Sequence, residues 1–208
     1  MNAGTQSLTL QGAVGVIEAL CDAPPGGVLK GTALIAHPHP LFGGTMQNKV
    51  VQTLARAFVQ CGWQAVRFNF RGVGGSAGTY DEGLGEAADM RSVIQQVAPS
   101  GPLALAGFSF GAFVTSHVAQ TVAPVRSLDK LVLVGTAASR FAVAPVAPDL
   151  HEQTLVLHGE QDDTVPLTSV LDWARPQYLP VTVIPGVEHF FHGQLPLLRS
   201  LVARHIRN

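Results

Sequence analysis

From Thr32 onward, short apolar runs alternate with longer segments of helical periodicity, and no other feature limits the possible folds of this chain as much. The runs fall at 33–36, 65–70, 103–106, 130–134, 154–157 and 181–184. Strands this short and this uniformly apolar need cover on both faces, and strands separated by helices are joined as parallel neighbours. The expected class is therefore α/β, with a mostly parallel sheet and helices on both faces. Upstream, residues 8–20 mix polar and apolar positions, with Gly12 and Gly15 as turn residues, and read as a β-hairpin or two edge strands.

Three helices have their own signals. Residues 48–60 place Val51, Leu54, Ala55 and Phe58 on one face, and Gly62 stops them. Residues 85–97 do the same with Ala88, Val93 and Val97 before Pro99. Residues 110–122 are apolar nearly all round and end before Pro124, as expected of a helix buried against the centre of a sheet.

At 208 residues, with no proline-rich, serine-rich or charge-rich run to divide it, the chain reads as one domain spanning 1–208. Hydrophobic residues make up 47% and charged residues 13%, which argues against disorder. No apolar run approaches the roughly 18 residues of a membrane span. The N-terminal residues lack the basic flank and apolar core of a secretory leader, and the C-terminus resembles no lipidation site, so the expected location is cytoplasmic. A net charge of -1 without a Lys/Arg stripe offers no footprint for nucleic acid or an anionic membrane, and the expected partner is a small molecule. Cys21 and Cys61 have neither metal-ligand nor redox spacing and read as reduced thiols.

Between the run at 103–106 and the helix at 110–122 lies Gly107-Phe-Ser-Phe-Gly111, a G-x-S-x-G string. In a chain with 22 glycines the string alone is weak. Its context is stronger. A nucleophile elbow needs a sharp strand-to-helix turn that lifts a serine hydroxyl above the sheet, with glycines where side chains would collide. The plain alternative is Ser109 as an N-cap, with the glycines serving only the turn. A serine hydroxyl is a weak nucleophile until a base takes its proton, so an acid and a histidine should follow later strands. The segment His158-Gly-Glu-Gln-Asp-Asp-Thr-Val-Pro166 offers Asp162 and Asp163, either to orient an imidazole or to form an Asx turn or cap a helix near Leu167. The segment Pro185-Gly-Val-Glu-His-Phe-Phe-His192 offers His189 and His192.

These motifs resemble those of the α/β-hydrolase superfamily. Gly159, Asp162, Val165 and Pro166 match its G-x-x-D-x-x-V-P acid loop, His189 matches its G-x-x-H, and the order Ser109, Asp162, His189 is its own. The resemblance thus implies Ser109 as nucleophile, Asp162 as acid and His189 as base; His192, three residues on, is read as the start of the last helix, with a swap of roles between His189 and His192 as the alternative. It extends to the loop 37–48, to Arg67-Phe-Asn-Phe-Arg-Gly-Val-Gly74 with Ser76, and to Glu188-His-Phe-Phe-His-Gly193. Over this length the chain resembles the small lidless bacterial serine hydrolases, which implies an α/β-hydrolase fold with an eight-stranded sheet and no lid domain. Arg71-Gly-Val-Gly-Gly-Ser76 resembles the superfamily's R-G-x-G-x-S turn, its glycines being read as structural. The interval between 134 and 154 is only about twenty residues and is broken by prolines at 145 and 148, too irregular for a helical cap. An open site suits small or soluble esters better than triglycerides. Phe42, Phe108 and Phe190, with Phe110, Phe141 and Phe191, are candidates for an apolar substrate patch.

The expected activity is carboxylic ester hydrolysis, needing no cofactor. The NH of Phe110 is expected to be one oxyanion donor, because it directly follows the nucleophile. The other belongs to the loop Ile35-Ala-His-Pro-His-Pro-Leu-Phe-Gly-Gly44. Pro38 and Pro40 have no NH, which leaves His39, Leu41 and Phe42. Matching His39-Pro-Leu41 to the superfamily's H-G-x assigns Leu41; the register His37-Pro-His39 assigns His39. A rival makes His37 and His39 metal ligands together with His189 or His192. No H-x-x-E-H or H-E-x-x-H run accompanies them, so they are read as supports of the loop and no metal is expected. Thioester or small-amide hydrolysis by the same residues, and a non-catalytic binding protein on the same fold, remain as alternatives.

Overall fold

A computed structural model describes residues 4–26 and 29–208. Residues 1–3, part of the N-terminal segment weighed above as a leader, lie outside the described residues, as do 27–28. The strands are β1 (Thr5–Gly12), β2 (Gly15–Asp22), β3 (Thr32–Ala36), β4 (Gln64–Phe68), β5 (Leu103–Phe108), β6 (Lys130–Val134), β7 (Thr154–Gly159) and β8 (Val181–Ile184). They form one eight-stranded sheet in the order β1-β2-β4-β3-β5-β6-β7-β8. The hairpin β1-β2 and the pair β2-β4 are antiparallel; every other pair is parallel. The helices are α1 (Lys49–Gln60), α2 (Leu84–Val97), α3 (Phe110–Val122), α4 (Leu167–Ala174) and α5 (Leu195–Arg207).

The uniform apolarity of the central strands follows from this layering. In β5, Leu103 and Leu105 enter the core shared with α2, α3 and α4, while Ala104, Ala106 and Phe108 enter the one shared with α1 and α5. In β3, Leu34 and Ala36 part from Ala33 and Ile35 in the same way. Successive side chains point to opposite faces, so with both faces covered no position is left for a polar residue. Burying one such leucine stabilises the fold by about 1.5–3 kcal/mol relative to leaving it exposed.

Several boundaries differ from the sequence expectation. Asn48 is the N-cap of α1 rather than its first residue: its side chain accepts the NH groups of Val50 and Val51. The buried face of α2 is Ala87, Met90, Val93 and Ile94, and Ala88 and Val97 lie only half-buried beside it. Past Phe68, the end of β4, the chain keeps one bond to β2 and then leaves the sheet. The NH of Asn69 goes to Glu18 O at 2.8 Å, and that of Phe70 goes to His37 Nε2 at 3.0 Å. Strand β5 runs on to Phe108, which pairs in register with Val134.

Strand β3 lies between β4 and β5, so the chain leaves it toward one edge and returns on its other side. Loops diverge at such a switch point and leave a crevice at the carboxyl ends of the strands. Between β6 and β7 there is only a 3-10 turn, Pro148–Leu150, and no lid covers the crevice. No helix among the described residues is long and apolar enough to cross a membrane. Cys21 and Cys61 are free and buried.

Candidate active site

Ser109 sits on the turn from β5 into α3 with φ 58 and ψ -117. A non-glycine residue held there costs about 1–3 kcal/mol and persists only where its surroundings dictate it. They do so here. The Ser109 NH is held by Val134 O at 2.8 Å. A side chain at Gly107 would lie less than 3.0 Å from the carbonyl of Gly111, and one at Gly111 would strike the carbonyls of Ala36 and His37. Both glycines are therefore sites of close backbone approach, as an elbow demands.

The structure brings Ser109, His189 and Asp162 together, and all three are buried. His189 Nε2 lies 3.0 Å from Ser109 Oγ, and His189 Nδ1 lies 2.6 Å from Asp162 Oδ2. Facing a carboxylate, Nδ1 carries the proton, which leaves Nε2 free to accept from the hydroxyl. Asp162 also forms the turn weighed as its alternative role. Its Oδ1 accepts the NH groups of Thr164 at 3.0 Å and Val165 at 2.7 Å, so one carboxylate shapes its own loop and holds the imidazole. The acid and histidine loops are tied by Gln161 NH to Val187 O at 2.9 Å. Asp163 is exposed and receives only the Thr164 hydroxyl, at 3.4 Å.

Three expectations need correction here. His192 does not start the last helix: it is exposed, 2.7 Å from Glu188, because the chain turns at Phe191–Gln194 and α5 begins only at Leu195. Phe108 does not line a substrate patch; it is fully buried, with its ring centroid 4.9 Å from that of His189, and so backs the imidazole. Phe191 is likewise fully buried in the core beside α1 and α5. Phe42, Phe110, Phe141 and Phe190 do line a cavity of about 360 Å³, together with Ser109, His189 and His39.

The loop after β3 overturns the choice of Leu41. Its NH already donates to His39 Nδ1 at 3.2 Å, and its exposed side chain stands outside the cavity. Among the described residues nothing accepts the backbone NH of His39 or that of Phe110, and both residues line the cavity. The alternative register is the one the hydrogen bonds favour. His37 supports this loop from below. Its Nε2 accepts the Phe70 NH at 3.0 Å and its Nδ1 lies 2.6 Å from Pro38 O, so it is neutral with the proton on Nδ1. Burial holds its pKa down at about 4. Burial also lowers the pKa of His39, with a smaller contribution from Arg140. With both nitrogens engaged by backbone, His37 has no lone pair left for a metal.

Two neighbours of His189 had not been singled out. Gly135 has φ 54, and a side chain there would stand 3.1 Å from His189 Cε1, so glycine makes room for the ring. His158, buried at the end of β7, places Nε2 2.9 Å from Val165 O and 3.4 Å from Asp162 Oδ2. Both partners are acceptors, so Nε2 bears the proton. Nδ1 has no partner among the described residues, and burial pushes the pKa down. The sequence signal was a histidine ending an apolar strand directly before the acid loop. Arg71 pairs with Asp89 at 2.8 Å and Ser76 donates to Asn69 O at 2.8 Å, so the R-G-x-G-x-S segment braces the fold without lining the cavity.

A doubly covered, mostly parallel sheet, a strained serine turn at its centre and a histidine and aspartate on loops after later strands define an α/β serine hydrolase. The chain belongs to the family described as serine aminopeptidase, S33, whose model matches residues 39–147, just over half its length. It is similar to the lidless α/β serine hydrolase XC6422 of Xanthomonas campestris, with 36% identity, a TM-score of 0.88 and 100% of this chain and 95% of that chain covered. An α/β serine hydrolase homologue from Coxiella burnetii is 38% identical with a TM-score of 0.82, covering 98% of each chain. An uncharacterized protein of Rickettsia prowazekii is 31% identical over 180 residues, covering 76% of this chain and 71% of that protein.

Proposed function

We propose that this hydrolase cleaves small or soluble carboxylic esters through Ser109, His189 and Asp162. The observation that carries the proposal is the unbroken hydrogen-bonded chain from the Ser109 hydroxyl through His189 to Asp162, opening on a cavity lined by Phe110 and His39, whose backbone NH groups are uncommitted among the described residues. His189 Nε2 takes the hydroxyl proton as Ser109 Oγ attacks the carbonyl carbon. Asp162 holds the imidazolium and balances its charge. The NH groups of Phe110 and His39 receive the developing oxyanion, each worth about 3 kcal/mol in such sites. His189 returns the proton to the departing alkoxide, and water then clears the acyl-enzyme by the same steps in reverse. No cofactor enters these steps. The absence of a lid and the apolar walls of Phe42, Phe141 and Phe190 favour a compact acyl group over a long lipid chain.

Thioesters and small amides share this chemistry and form the second reading. The test is turnover of 4-nitrophenyl acetate with labelling by a fluorophosphonate, in the wild type and in Ser109→Ala. Turnover and labelling that both vanish in the variant support the assignment. Wild-type protein that neither turns over any ester nor takes the label would leave only a binding role.

A further inference from the structure

The walls of the cavity are apolar or neutral except at one place. Arg140 lines the cavity beside Phe141, and no aspartate or glutamate lines it. Among the described residues nothing pairs with the Arg140 guanidinium, and of the arginines without a carboxylate partner it is the one that lines this cavity. Its exposed side chain stands at the rim, close enough to His39 to help lower the pKa of that imidazole.

The backbone that carries Arg140 to the rim is held by its own hydrogen bonds. The NH groups of Arg140 and Phe141 both donate to Ala137 O, at 3.2 and 3.1 Å, which fixes the turn just after β6. The chain beyond is tied to α3 by His117 on Ala142 O at 2.8 Å and by the Ala144 NH on Ser116 Oγ at 3.1 Å. Phe141 stacks on Phe113 with ring centroids 4.7 Å apart. The short segment that stands in place of a lid therefore carries one aromatic wall and one free cation to the mouth of the site.

We propose that Arg140 is a specificity residue that recognises a carboxylate on the substrate, making the preferred substrates esters whose acyl chain ends in an anion. This rests on the esterase reading above and adds the substrate class. The acyl part stays in the cavity through the covalent intermediate, while the alcohol leaves through the open mouth. Phe42 and Phe141 offer apolar walls to the chain, and the exposed guanidinium of Arg140, next to Phe141, offers a partner for a terminal carboxylate. A guanidinium engages a carboxylate through two parallel NH donors, a geometry that a neutral chain end cannot use.

The test compares mono-4-nitrophenyl adipate with 4-nitrophenyl hexanoate, in which a methyl replaces the carboxylate. The ratio of their kcat/KM values should fall roughly five- to tenfold in Arg140→Gln, the scale of a partly exposed charge-assisted pair. It should fall further in Arg140→Glu, recover in part in Arg140→Lys, and shrink in the wild type at high salt. An unchanged ratio in Arg140→Gln and Arg140→Glu would overturn the proposal. Should neither ester be hydrolysed, the esterase reading fails, and binding decides for Arg140. Tighter binding of the adipate ester to Ser109→Ala than to Ser109→Ala/Arg140→Gln sustains the anion site; equal affinity refutes it.

Discussion

His158 Nε2 lies 3.4 Å from Asp162 Oδ2, the same oxygen that His189 Nδ1 approaches at 2.6 Å. Asp162 is thus flanked by two histidines of different character. His158 is kept neutral by burial, and its one NH is shared between Val165 O and the carboxylate. A second imidazolium at this distance would compete with His189 for the charge of Asp162. A neutral donor helps fix the carboxylate without doing so.

His158 is accordingly a positioning residue. His158→Phe should lower kcat about tenfold with KM little changed, since only the alignment of Asp162 is disturbed. His158→Gln, whose amide can still donate, should recover part of the loss. Steady-state kinetics, with a thermal melt to verify folding, decides the matter; a KM effect equal to the kcat effect would contradict the role.

The second oxyanion donor can be tested without altering the reacting groups. His39 has φ -53 and ψ 123, a backbone that proline adopts freely. His39→Ala removes the ring and keeps the NH, and His39→Pro removes both. The proline variant should lose a further 10²–10³-fold in kcat, about 3–4 kcal/mol, if that NH holds the oxyanion. Equal rates in the two variants would return the search to the rest of the loop.

The strain at Ser109 should appear in stability. Ser109→Ala keeps a side chain at φ 58, whereas Ser109→Gly relieves it. Both should be inactive on the proposed mechanism, and the glycine variant should be the more stable by about 1 kcal/mol after its extra unfolded-state entropy is counted. Urea midpoints of the two proteins give the comparison directly.

Acid should loosen the fold through His37. Its pKa is about 4 in the folded chain against 6.5 as its ordinary value, so between these pH values the unfolded chain binds the extra proton and the folded one does not. Stability is then unaffected above about pH 6.5 and falls as pH drops toward 4, by roughly 3 kcal/mol from this group. Urea denaturation across that window should show a shallower slope in His37→Gln than in the wild type.

The periodicities and motif order of the sequence were sufficient for much of this molecule, because they depend on local geometry. Covered strands must be apolar at every position, as in β3 and β5. An elbow must have small residues at Gly107 and Gly111, where backbones meet. Ser109 directly follows β5, and Asp162 and His189 lie on the loops that leave β7 and β8, so once these strands run parallel the three residues arrive at the same edge of the sheet.

Only the tertiary structure decided questions of hydrogen-bond commitment and of depth. Leu41 was excluded when the His39 ring turned back to take its NH, a contact that no spacing rule encodes. Phe108, one residue before Ser109, went behind His189 because alternation along β5 directs it into the core shared with α1 and α5. His158 and Arg140 could not be placed from the sequence, since their meaning depends on what surrounds them: a shared carboxylate for one, and a rim without acidic residues for the other. A chain specifies its periodic elements through local sterics, but which polar groups remain unpaired is known only after every other group has found its partner.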